Sequence, residues 1–270
     1  MAIRIERDGK VATVIHSRIE ARNAMDPDSA VALTEAFMAL DADPDTAAIV
    51  FWGEGGAFCA GWDLKYAQAF TQPERFEAEI VEGLAFPPGD APAPRGPMGP
   101  SRLEMSKPLI AAVEGPAVAG GMELALWCDV RVMAEDAYFG VYCRRWGIPL
   151  IDGGTVRLPR LVGQGRALEI IMTGRKVEAD EALRIGLCEK VVPKGGARAA
   201  AEVMAHEIAR FPQGAMLADR ASAISGHGLS VREALAREWN GGVRTIATEG
   251  AAGAGRFATG KGRGGDFSSI

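Results

Sequence analysis

The chain opens on alternation. AIRIERDGKVATVIHS carries two runs with apolar residues at nearly every second position, joined at Asp8-Gly9. A period of two is the pattern of a strand with one covered face, and a Gly-bearing dipeptide suits a tight turn, so a β-hairpin is expected first. After a turn at Arg22-Asn23-Ala24 the period changes. Val31, Leu33, Phe37, Met38 and Leu40 recur at helical spacing behind Pro27, which predicts a helix from about 27 to 41. AAIVFWG, PLIAAVEG and DVRVMA are short, nearly continuous apolar runs, as in strands buried on both faces. Beyond about residue 200, AAAEVMAHEIARF and SVREALAREW return to helical periodicity. Buried strands separated by helical segments predict an α/β architecture with a helical C-terminal part.

Two stretches fit neither period. Residues 86–101, FPPGDAPAPRGPMGPS, hold six prolines, too many for a helix or a central strand. An irregular loop of this length is either a mobile lid or a passive insertion. The last residues, GKGRGGDFSSI, read as a flexible end.

Composition narrows the function classes. At 270 residues, 48% hydrophobic and 24% charged, the chain is an ordinary globular protein of one large domain, with or without a small appendage. Its net charge of −5 offers no general basic field, so no nucleic acid partner is expected. There is no long apolar span and no signal-peptide pattern, which argues against a membrane partner or secretion. Cys59, Cys128, Cys143 and Cys188 lack C-x-x-C spacing and sit in or beside apolar runs, as reduced thiols of a cytoplasmic protein do. His16, His206 and His227 are not grouped with carboxylates, so no metal site is expected; G-x-S-x-G and GxxxxGK[ST] patterns are missing, and neither GGAFCAGWDL nor AVAGGMEL has GxGxxG spacing.

Candidate chemistry lies in two glycine-bearing turns, GGAFCAGWDL at 55–64 and AVAGGMEL at 117–124, each between a strand-like and a helix-like run. Helix N-termini leave amide N–H groups unpaired and partly positive, able to stabilise an oxygen that becomes negative during reaction. Glu123, directly behind Gly120-Gly121 in apolar surroundings, is either a first-turn acid placed by the helix dipole or a proton-transfer group.

The order of motifs carries more than any one of them. RNAM at 22–25, AFCAGWDL at 57–64, KPLIAAVEGPAVAGGMELALWCD at 107–129, DGGTVRLPRLVG at 152–163 and TGRKVEADEALRIGLCEKVV at 173–192 together resemble the enoyl-CoA hydratase/isomerase, or crotonase, family. The resemblance implies a crotonase-like spiral of ββα repeats over 1–200 and a helical trimerisation region over 201–270, assembled as a homotrimer or homohexamer. It implies an acyl-CoA thioester as substrate, with no metal or redox cofactor needed.

The resemblance also assigns residues. The backbone N–H groups of Trp62 and Gly120 form an oxyanion hole for the thioester oxygen, and Glu123 matches the first of the family's two catalytic glutamates. The second glutamate is missing, since its position is Cys143 in FGVYCRRWGIPLIDGGT. Asp152 is the candidate replacement, with a turn-capping role as the alternative. Cys143 is either a packed thiol or a nucleophile lowered in pKa by Arg144 and Arg145. The coenzyme A path is placed along Arg22, Ala24, Ala60, Asp63, Leu64 and Lys65, with Arg22 and Lys65 as phosphate partners or surface charges. Lys261 or Arg263 are further phosphate candidates from position, and Trp62, Tyr142, Trp146 and the 86–101 loop either line the acyl pocket or serve as packing. Hydration and double-bond migration stay open. Hydrolysis, decarboxylation or dehalogenation through Asp152, and acyl-CoA binding without turnover, are the alternatives.

Overall fold

The computed structural model describes residues 2–89 and 91–262; Met1, Asp90 and residues 263–270, Arg263 among them, lie outside it. The hairpin is present as β1 (Ile3–Asp8) and β2 (Val11–His16). Asp8 pairs with Val11, so the two-residue turn is Gly9-Lys10, one position later than expected, with Gly9 at φ +56°. β2 is wholly buried whereas β1 is an outer strand, which is why the charged residues of the alternation fall mainly on β1.

The three apolar runs become β3 (Ala48–Gly53), β4 (Leu109–Val113) and β6 (Val130–Ala134). Between and after them come β5 (Pro116–Val118), β7 (Tyr138–Gly140), β8 (Lys176–Glu178) and β9 (Lys190–Val192). The large sheet has the order β1-β2-β3-β4-β6-β9 and is parallel beyond the hairpin; a small sheet runs β5-β7-β8. The chain therefore steps from the large sheet to the small one and then into a helix. β4, β5 and the helix Gly120–Trp127 make one such ββα step, which is the winding that the sequence resemblance implied.

Local chemistry fixes the helix Pro27–Ala42: the Asp26 side chain accepts from the Ser29 N–H at 2.8 Å, and Pro27 fills the first position, where no N–H is needed. Leu33, Phe37 and Leu40 are buried, and Phe37 meets Phe51 and Trp127 edge-on at 5.5 and 4.9 Å. Val31 and Met38, which the helical pattern counts as core, face outward at 40% and 56% exposure. The covered stripe is narrower than the apolar one.

The described part of the 86–101 segment changes character along its length: the first part is largely exposed, whereas residues 96–101 are buried.

The chain divides into two compact units between Ala205 and His206, within the helix Ala197–Ala209, where the sequence suggests a boundary near 200. The second unit is helical, with Gln213–Ser225, Val231–Gly242 and Ala251–Ala258. Ser230 and Glu233 form a capping box at the start of Val231–Gly242. Among the described residues, no helix is long and apolar enough to cross a membrane.

Candidate active site

The two glycine turns touch. Cys59 bridges Ala117 in parallel, with the Val118 N–H on the Cys59 carbonyl at 3.0 Å. A Cβ on Gly121 would lie 2.1 Å from that carbonyl oxygen. Gly61, at φ +91°, approaches so closely that its Cβ would be 2.9 Å from Ala119 Cβ and 3.2 Å from Gly120 N. Ala119 itself takes φ +54°, a conformation costing of order 1–3 kcal/mol outside glycine. It is held there by its N–H on the Gly140 carbonyl at 2.8 Å and by its own carbonyl, which accepts from the Met122 and Glu123 N–H groups. Among the described residues, neither the Trp62 nor the Gly120 N–H donates a backbone hydrogen bond.

Glu123 follows in the first turn of the helix Gly120–Trp127, 3% exposed. Its Oε1 accepts from the Asp152 N–H at 2.9 Å and the Gly154 N–H at 2.8 Å. Burial, followed by the nearby Asp152 carboxylate, pushes the Glu123 carboxyl up to about 8, and the two amide bonds offset only part of this. Asp152 is also 3% exposed, and its Oδ1 accepts from the Met98 N–H at 3.0 Å and from the Ser101 hydroxyl. Burial raises its pKa as well, against those two donors and the cations Arg102 and Arg157.

One cavity collects these groups: Trp62, Met98, Gly120, Glu123, Cys143 and Asp152 all line it. The residues picked for catalysis from sequence are thus brought together, although Trp62 and Asp152 are ninety positions apart. Ala60 and Leu64 line the same cavity, as do Tyr142 and Trp146. Cys143 is buried, and burial together with Glu123 raises its thiol pKa. Arg145 instead lies 3.7 Å from the Tyr142 ring centre, and Arg144 Nε donates to the Ile171 carbonyl at 3.4 Å. The activated-nucleophile reading of Cys143 therefore fails: it is a neutral thiol in the wall.

The expected coenzyme A residues form a surface groove containing Arg22, Ala24, Asp63, Leu64 and Lys65. Leu64 lines both groove and cavity, so the two adjoin. Arg18 and Asn23 organise this strip; the sequence shows Asn23 only as part of the RNAM turn, and nothing in its spacing marks Arg18. Arg18 binds Asp63 at 3.1 Å and Asp26 at 3.2 Å, and donates to the Ala24 carbonyl. Asn23, left-handed at φ +57° and fully buried, donates to the Glu54 and Ala57 carbonyls at 2.8 and 2.7 Å. Asp63 is committed to Arg18 and to the Lys65 N–H, so its carboxylate shapes the groove. Lys261 belongs to the second compact unit, and Arg263 falls outside the described residues.

A ββα winding that closes two glycine turns and a buried carboxylate pair around one cavity defines a crotonase-fold enzyme. Residues 6–84 and 101–226 match the enoyl-CoA hydratase/isomerase family model. Enoyl-CoA hydratase EchA19 of Mycobacterium tuberculosis is 39% identical over 200 residues, 72% of this chain and 69% of that protein. (E)-benzylidenesuccinyl-CoA hydratase of Thauera aromatica is 32% identical over 236 residues, 87% of each. A crystal structure of enoyl-CoA hydratase from Mycobacterium tuberculosis superposes with a TM-score of 0.84 at 32% identity over 96% of each chain. The chain belongs to the enoyl-CoA hydratase/isomerase family and is an acyl-CoA-processing enzyme of that type.

Proposed function

We propose that the protein hydrates a 2-enoyl-CoA. The thioester oxygen sits between the Trp62 and Gly120 N–H groups, which stabilise the charge it gains as an enolate. Asp152 takes a proton from water as the water oxygen bonds to Cβ, and Glu123 gives its proton to Cα. The observation that carries this reading is the pair of buried carboxyls in one cavity, Glu123 accepting the Asp152 N–H. The Asp152 charge opposes ionisation of Glu123, so on this reading Asp152 takes the part of base and Glu123 that of acid. Asp152 then supplies what Cys143, in place of the second glutamate, does not.

The test is mass spectrometry of products from crotonyl-CoA and a 3-enoyl-CoA, with the native protein and Asp152→Asn. Water addition that falls steeply in Asp152→Asn, to a small residual rate, is expected. Migration of the 3-enoyl double bond alone would overturn hydration in favour of isomerisation, for which Glu123 without a second glutamate suffices. A covalent acyl group trapped on Asp152 would instead support the hydrolytic or dehalogenating class. The pH profile carries a sign: kcat/KM falls on the acid side as Asp152 is protonated and on the alkaline side as Glu123, near 8, gives up its proton.

Arg22 and Lys65, both exposed in the groove, are proposed to meet the phosphates of coenzyme A. Lys65→Ala is expected to raise KM by about two- to fivefold with kcat unchanged, because an exposed ion pair contributes little. The difference should shrink in high salt. Initial rates at two ionic strengths check both.

A further inference from the structure

The buried end of the proline-rich segment is a small closed ring. The Gly96 N–H donates to the Gly99 carbonyl at 2.8 Å, and the Gly99 N–H donates back to the Gly96 carbonyl at 2.9 Å. Gly99 takes φ +77°, and Pro97 has no N–H to satisfy. With the ring closed, the Met98 N–H points out of it onto Asp152 Oδ1, and Ser101 donates its hydroxyl to the same oxygen.

Gly96 shows that this contact is built. It is not in the left-handed region, so no turn demands a glycine there; a Cβ would instead fall 2.2 Å from both Asp152 Oδ1 and Ser101 Oγ. The missing side chain is the space in which hydroxyl and carboxylate meet. Arg157 braces the arrangement from behind, donating to the Ser101 carbonyl at 2.8 Å and the Asp152 carbonyl at 3.0 Å. The Met98 thioether also lies over the oxyanion turn, 2.5 Å from where a Gly120 Cβ would stand. The family match stops at residue 84 and resumes at 101, so the ring belongs to a stretch that the family pattern does not describe.

We propose that the Gly96–Gly99 ring with Ser101 is a positioning element for Asp152: the Met98 N–H and the Ser101 hydroxyl fix Oδ1 and leave Oδ2 to take the proton from water. This rests on the reading of Asp152 as the base. The other ionisable groups near Asp152 are Glu123 from the helix Gly120–Trp127, Arg157 from Gly154–Val162, Arg102 beside the ring and the buried thiol Cys59, with Cys143 in the wall of the same cavity. None of them is altered by removing the Ser101 hydroxyl. What changes is one donor to the ionised form of Asp152, and a hydrogen bond to a charged group is among the stronger ones.

The experiment is the pH dependence of kcat and KM for hydration in Ser101→Ala, Gly96→Ala, Asp152→Asn and Ser101→Ala/Asp152→Asn. In Ser101→Ala the acid limb of kcat should move up by about one pH unit, a loss reaching roughly tenfold on the acid side of that limb and vanishing on the plateau, with KM within about twofold and the alkaline limb in place. Gly96→Ala, which keeps both polar groups but wedges them apart, should move the same limb in the same direction. In the Asp152→Asn background, Ser101→Ala should remove nothing further. An unmoved acid limb in both single variants, or an equal loss with and without Asp152, would sink the positioning role and reduce Ser101 to packing. Full hydration by Asp152→Asn would be a different failure, that of the base assignment itself.

Discussion

Glu123→Gln is expected to lower kcat for hydration by about 10²–10⁴-fold, the range over which a positioned acid or base acts. The substitution is close to isosteric, and the Gln carbonyl can keep both bonds from the Asp152 and Gly154 N–H groups, so the fold should survive. Stability gives an independent check, with its own sign. The folded Glu123 carboxyl, at about 8, holds its proton more tightly than the ordinary value of 4.5. Its contribution to stability is therefore full below 4.5 and is lost as the pH rises through 8. Glutamine has no such loss, so Glu123→Gln should melt at a higher temperature than the native protein at pH 9 and not at pH 5. Activity retained alongside that melting pattern would remove Glu123 from the chemistry while leaving its burial in place.

Gly121→Ala should be nearly as damaging for another reason. Gly121 is helical and has no unusual φ, so alanine costs nothing in local conformation. Its Cβ, however, would lie 2.1 Å from the Cys59 carbonyl oxygen, a backbone atom in the turn that presents Trp62. Either the helix or the turn must move, and the two proposed oxyanion donors separate. Loss of one such donor elsewhere costs about 10²–10³-fold in kcat, and the same is expected here. The movement of about an ångström needed to relieve a 2.1 Å contact also strains the packing of two buried elements, so the melting temperature should fall as well. Calorimetry with steady-state kinetics checks both; a native rate would show that the spacing of the turns is not what sets catalysis.

The fold was legible where period alone decides structure. The hairpin, the helix behind Pro27 and the strands β3, β4 and β6 follow from local pattern, and Glu123 stood out as a charge in an apolar segment. The misplacement of Val31 and Met38 has a simple cause: periodicity tells which residues share a face, but not how wide a face the sheet covers. The site was legible at its motifs and silent elsewhere. Arg18 reaches Asp63 and Asn23 reaches Glu54 and Ala57, and while the RNAM motif marks the turn that holds Asn23, contacts to such distant segments leave no local trace. The 86–101 stretch is the clearest case. Its prolines and glycines announce irregular backbone and nothing more, while the partner that gives Gly96 and Ser101 their meaning, Asp152, lies 51 residues beyond Ser101.

The two carboxyls of the cavity sit on different kinds of structure. Glu123 rides on the helix Gly120–Trp127 that follows β5, whereas Asp152 and its donors Met98 and Ser101 belong to connections. On the proposed reading, the element that carries the proton donor is part of the regular scaffold, while the base and the groups that hold it are set by connecting segments, so a change in those segments alone would alter the second carboxyl's chemistry.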